Sequence, residues 1–396
     1  MWNRTAAIGM RLSVMSFLEY AVWGAYLCSM GGYLASVGLG GEIRWFYCVQ
    51  GVVALFMPAL VGAVADRWME GRSLLSLLHV LSGGLMMAMC CYGMRSPVSF
   101  PVLWVLYALS VVCFLPTIAL SNAVSFAVLG LEGRDIRSSF PPIRVWGTVG
   151  FVVSMWVVDL AGWQLSSLQF GLGGLLGLVL AAYALTLPRC SLGKERRQTG
   201  ALYIKGKMLT FLLFSILVGF CLHVSNAYAS PFLLSFGLSH ANLLISLSQV
   251  SEALCLLLIP LCFRRWGIKA MVLIALTAWA LRFALFATGS VWLFALSMLV
   301  YGVAFDFFNV CGSMYVAEQA GERNGGRMQG LFMLATSGAG ASLGMLAAGS
   351  VVNHWTVNEG GVQAAAEGTW GWAAIWLVFA LYAVVVAVAF ALLFRA

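Results

Sequence analysis

Charge is what this sequence has least of. Lysine, arginine, aspartate and glutamate together make up 9% of its 396 residues, against about 25% in an ordinary soluble domain. With 62% of the chain hydrophobic and a mean hydropathy of +0.95, there is too little polar surface to wet a globule. A soluble enzyme, a disordered chain and a nucleic-acid module are all excluded. Cysteine pairing is missing too. The ten cysteines lie mostly in apolar runs (Cys48, Cys90, Cys91, Cys113, Cys255), with no C-x-x-C spacing. They read as small buried hydrophobes, neither disulfides nor metal ligands. Histidine is sparse, and His79, His240 and His354 lack any ligand spacing. No metal or cofactor is expected, and these three histidines are given no role. The first apolar run is too long for a cleavable leader and has no small-residue cleavage site after it.

What the chain has is apolar length. A spanning helix needs about 20 apolar residues, because 1.5 Å per residue must cover about 30 Å of hydrocarbon. Twelve such runs can be read: 12–37, 43–65, 74–94, 101–130, 141–162 and 166–188, then 208–235, 241–263, 270–289, 291–317, 328–353 and 371–394. The expected fold is therefore all-α and membrane-spanning, with a six-helix half at 1–188, a cytoplasmic linker at 189–207 and a second six-helix half at 208–396. Charge placement supports the count. Of the 22 basic residues, all but Arg44, Arg95, Arg144 and Arg282 fall in segments that lie inside if the N-terminus is cytoplasmic. That bias is what the positive-inside rule requires, and it places both termini inside. The net charge of +8 is then a topology signal, and no nucleic-acid partner is expected.

Five charges stand out at mid-membrane positions of the runs: Glu19, Arg144, Glu252, Arg282 and Asp306. At mid-membrane depth each costs about 2.5–3.5 kcal/mol, so each faces a cavity or a partner. In the fifth run Arg144, Thr148 and Phe151 stand at i, i+4 and i+7 and form one stripe. A guanidinium fork, a hydroxyl and a flat ring suit a ligand that is both polar and aromatic; a structural ion pair is the alternative for Arg144. In the tenth, Tyr301 and Phe305 stack at i and i+4 with Asp306 adjacent. The seventh carries His223, Asn226 and Ser230, and the eighth Gln249 and Glu252. Their amide, imidazole and carboxylate groups match a heterocycle edge or sugar hydroxyls, though interhelical hydrogen bonding would also use them. Glu19, Trp23 and Tyr26 share a face in the first run, as do Thr117, Ser121 and Ser125 in the fourth, beside Asn122. Arg282 reads as a structural pair or as a side chain snorkelling outward.

The segments Phe140–Phe151, Ser248–Glu252 and Tyr301–Asn309, with Phe56–Trp68 and Gly267–Ala287, resemble the bacterial nucleoside:proton symporter family of the major facilitator superfamily over nearly the whole chain. Gly62, Asp66, Arg67, Gly71 and Arg72 loosely match that superfamily's gating-loop motif G-x-x-x-D-R-x-G-R, with three residues instead of one between Arg67 and Gly71. The resemblance implies a nucleoside site between the halves, with contact roles for Arg144, Thr148, Phe151, Asn226, Gln249, Glu252, Tyr301 and Phe305. It also implies that Asp306 is essential to transport. Two positions depart from the family: His223 stands where relatives carry glutamine, and Glu19 where some carry an uncharged amide.

The expected activity is proton-coupled nucleoside import in a bacterial inner membrane by alternating access. Nucleoside, protons and membrane lipid are the expected partners of a monomer. A sugar:proton symporter and a non-transporting solute sensor are the alternatives; an intramembrane enzyme would need a nucleophile–base pair or metal set that is missing. Asp306, Glu252 and Glu19 are the candidate proton carriers, because a carboxyl group withheld from water favours its neutral form. All ten residues from Arg144 to Asp306, His223 included, are expected to line one cavity.

Overall fold

The computed structural model describes residues 2–189, 206–356 and 370–394. The regular structure of the described residues is helical, in the order α1 (Trp2–Gly24), α2 (Met30–Ser36), α3 (Ile43–Arg67), α4 (Gly71–Gly93), α5 (Phe100–Leu131), α6 (Ile136–Leu160), α7 (Leu168–Ala184), α8 (Gly206–Ser235), α9 (Ala241–Ala287), α10 (Val291–Met333), α11 (Ala341–Thr356) and α12 (Trp370–Leu393). Among these residues, nine helical stretches are long and apolar enough to cross a membrane. Leu168–Ala184 and Ala241–Leu256 are apolar but shorter. Large side chains such as Leu160, Leu261, Trp292 and Leu392 lie exposed on the helices. A row of exposed apolar groups on this scale fits hydrocarbon as its solvent.

Several helix ends differ from the apolar runs that announced them. The first run is broken by hydrogen-bonded turns between α1 and α2, where Leu27 N–H donates to Trp23 O and Met30 N–H to Tyr26 O. The eighth and ninth runs join as α9, interrupted only at Gly267, whose φ of 68° and ψ of 175° are open to glycine. The tenth run continues as α10 through the polar stretch expected as a loop, then through a π-helical turn, Leu334–Gly340, into α11. Polarity there ends the apolar run without ending the helix, even though Gly321, Asn324, Gly325 and Gly326 are weak helix formers. Residues 190–205, most of the expected linker, lie outside the described part.

By contacts the chain forms two compact units, Met1–Tyr33 with Val53–Thr199 and Leu34–Val52 with Gly200–Ala396. In the first, α1 packs on α6 and α4 on α7. Gly83 and Gly174 make the second crossing possible: a methyl group on either would sit 2.9 Å from the other's carbonyl oxygen. Gly83→Val should therefore overpack this crossing and cost about 1–3 kcal/mol, read as a lower melting temperature in detergent. An unchanged melting temperature would show that the helices have room to part.

In the second unit α9 packs against α10 and α12, and α8 against the π-helical turn. Segment Leu34–Val52 belongs here through specific contacts. Gly51 lies against Ser342 and Gly338, Asn353 Nδ2 donates to Gly41 O at 2.9 Å, and Gly349 leaves room for the stem of Arg44.

Candidate functional site

The first unit brings Arg144, Thr148 and Phe151 onto one face of α6, turned toward α1. Two glycines allow the approach: Gly147 sits against Tyr20 and Ser16, and Gly150 against the backbone of Phe17. The Arg144 guanidinium carbon lies 3.8 Å from the Tyr20 ring centroid, a cation–π contact that leaves the donor fork for a ligand. Among the described residues Arg144 makes no ion pair, and the structural pair considered for it is not seen. Phe151 meets Trp23 edge to face, with centroids 6.3 Å apart at 85°. Thr148 is half-buried beside them.

Glu19 takes a different course from Trp23. Its carboxylate is fully buried, with Oε2 2.9 Å from His79 Nε2 and Oε1 2.6 Å from Thr117 Oγ1. Tyr26 is also buried, packed on Tyr107 and Phe170. Ser121 and Ser125 donate to carbonyls of their own helix, Ile118 O and Ser121 O. His79, which its spacing leaves without a role, is thus the partner of a buried carboxylate. A signal was available: it shares the buried stripe of α4 with Leu75, Ser82, Gly83 and Met86.

At the loop after α3, the side chains of Asp66 and Arg67 lie outside the described residues. Gly62 has open space around it. Arg72 bonds Glu70 at 3.3 Å and reaches Leu187 O at 2.8 Å and Leu185 O at 3.1 Å, tying the start of α4 to the end of α7.

In the second unit, Tyr301 and Phe305 stack on α10 with centroids 5.5 Å apart and planes 8° from parallel. Trp279 meets Tyr301 edge-on at 5.9 Å. Beneath lies Arg282, which does not snorkel: it is 2% exposed, with its guanidinium carbon 5.0 Å from both the Tyr301 and Phe286 ring centroids. It donates to Ser225 Oγ through Nε and Nη2, and to Ser297 O through Nη1. A charge buried among hydroxyl, carbonyl and ring faces holds these helices in one register.

Asp306 is 1% exposed, and its Oδ2 has no hydrogen-bond partner among the described residues. Glu252 on α9 is within electrostatic reach of it. The approach rests on Gly302, whose bare Cα fits against the Ser251 backbone while its N–H donates to Ser251 Oγ at 3.0 Å. Ser251 Oγ in turn donates to Leu299 O. Gln249, one turn before Glu252, is half-buried.

On α8, Asn226 is half-buried and Ser230 buried, its Oγ unpartnered among the described residues. His223 Nδ1 lies 2.8 Å from Gly219 O. A carbonyl only accepts, so Nδ1 carries the hydrogen and Nε2 presents a lone pair.

Each unit thus offers an aromatic platform, and the second adds several hydrogen-bonding groups and a carboxylate whose Oδ2 lacks a partner among the described residues. Compared with known proteins, the chain matches the family model described as nucleoside H+ symporter over residues 6–396. It is 36% identical to the nucleoside permease NupG of Escherichia coli K12, over 98% of this chain and 96% of that one. The xanthosine permease of the same organism is 37% identical, over 97% of this chain and 95% of its own. A crystal structure of the nucleoside transporter NupG matches with a TM-score of 0.86 at 34% identity, covering 98% of this chain and 99% of that one.

Proposed function

Because the chain belongs to the nucleoside H+ symporter family, we propose that it carries nucleosides inward across a bacterial inner membrane, each with at least one proton. It is a transporter and not an enzyme. The reading takes the chain as twelve spans in two six-helix halves with both termini cytoplasmic, working as a monomer in lipid by alternating access. The Tyr301–Phe305 stack, followed in the same helix by a buried Asp306 whose Oδ2 lacks a partner among the described residues, is the observation that carries it. Rings offer a face to the base. Gln249, Asn226 and His223 offer amide and lone-pair groups to its edge, and Glu252 accepts from ribose hydroxyls. Arg144 and Thr148, with Phe151, are nucleoside-contacting groups of the first unit. Asp306 takes the coupling proton.

Proteoliposomes given an inward proton gradient should accumulate labelled uridine, and an uncoupler should prevent it. A hexose in large excess should not compete. Accumulation of hexose in place of uridine would favour the sugar reading. Binding without uptake would favour the sensor.

His223 gives a finer expectation. With Nε2 as acceptor, it favours a base edge that donates there; an amide in its place can donate or accept. His223→Gln should change the order in which purine and pyrimidine nucleosides compete, while uptake persists. Identical competition profiles before and after would make His223 a packing residue.

A further inference from the structure

We propose that Glu19, His79 and Thr117 form a second proton-binding site, buried in the first unit and separate from Asp306. The proposal deepens the symport reading by adding a proton that Asp306 does not hold. Glu19 on α1 and His79 on α4 are each 0% exposed, 2.9 Å apart, with Thr117 of α5 closing the far side of the carboxyl group. Phe114 covers the imidazole, ring to ring at 6.0 Å.

Hydrogen bonding fixes what this cluster can do. His79 Nδ1 is buried with no partner among the described residues. A bare lone pair there costs less than an unmade N–H donor, so the hydrogen belongs on Nε2, which donates to Glu19 Oε2. Thr117 Oγ1 lies 2.6 Å from Glu19 Oε1 and 2.5 Å from Phe114 O. Two arrangements follow. With Glu19 ionised, the Thr117 hydroxyl donates to Oε1. With a proton bound, Oε1–H donates to Thr117 Oγ1, whose hydroxyl turns to Phe114 O. Both states satisfy every donor, they differ by one proton, and neither moves a heavy atom. Nε2–H donates to Oε2 throughout.

No other group takes over the charge. Among the described residues only His79 and Thr117 are hydrogen-bonded to Glu19. On the packed helices, Arg144 of α6 sits on Tyr20 of α1, and Arg11 of α1 bonds Thr186 O. Tyr183 of α7 donates to Arg11 O, Arg72 of α4 holds the Leu185 and Leu187 carbonyls, and Cys113 of α5 is half-buried. An amide at position 19 could make the same contacts and bind no proton, so a carboxyl group there adds the capacity to hold one.

Infrared difference spectra of the purified protein between acidic and alkaline buffer test this without any nucleoside. The wild type should show a carboxyl C=O band that Asp306→Asn retains and Glu19→Gln loses, while Glu19→Gln keeps the wild-type melting temperature. His79→Gln, which leaves the carboxyl group in place, should shift that band and so serves as the check if Glu19→Gln does not fold. A difference spectrum unchanged by Glu19→Gln, or by His79→Gln where only that variant folds, overturns the proposal. Failure of uridine transport, by contrast, would leave these spectra as they are.

Discussion

Asp306→Asn should abolish accumulation of nucleoside against its gradient. The change is nearly isosteric and fixes a neutral side chain where the proposed coupling needs a group that can gain and lose a proton. Asp306 suits this role because it is buried with Oδ2 unpartnered among the described residues and has Glu252 as a neighbour of like charge. Proton and substrate then bias the same conformational equilibrium, and removing one ligand uncouples the other. Binding should survive, since the ring stack and hydrogen-bonding groups remain: affinity measured by calorimetry should stay within about tenfold, or about 1.4 kcal/mol. If the mutant still concentrates uridine, the coupling carboxylate lies elsewhere, and Glu252 is next to test.

Arg144→Ala should be the most damaging change to binding itself. The guanidinium is half-buried, held over Tyr20, and has no carboxylate partner among the described residues to satisfy its fork. A hydrogen bond to a charged group contributes about 1.5–3 kcal/mol, so uridine affinity should fall by about tenfold to a hundredfold. Arg144→Lys should rescue only part of this, because an ammonium group keeps the charge and loses the planar fork. Full affinity in the lysine variant would mean that charge alone matters. Full affinity in the alanine variant would make Arg144 a packing residue of the α1–α6 contact.

Much of this was legible because membrane insertion imposes a length. Apolar runs of about 20 residues are required by the hydrocarbon thickness, and most helices fall where those runs do. Their ends were less legible, since hydropathy marks where lipid stops and a helix can run on, as α10 does through Val291–Met333. The stacked Tyr301 and Phe305 were readable because their contact is local, four residues along one helix. Arg282 was not. Its partners Ser225 and Ser297 come from α8 and α10, and no spacing within one helix announces them. For His79 the stripe of its own helix marks burial, but its partner lies sixty residues away on α1 and no spacing names it. The shared face of Glu19, Trp23 and Tyr26 was too coarse a reading: Trp23 reaches Phe151 of α6, while Glu19 and Tyr26 are buried against α4, α5 and α7.

Coupling is the central claim, and a uridine gradient imposed alone tests it most directly. Proteoliposomes with equal pH on both sides, clamped at zero membrane potential and loaded with a pH-sensitive dye, receive uridine outside. The account predicts that the lumen acidifies as uridine enters, and that Asp306→Asn stops the acidification. Uridine entry with no change in lumenal pH would contradict it.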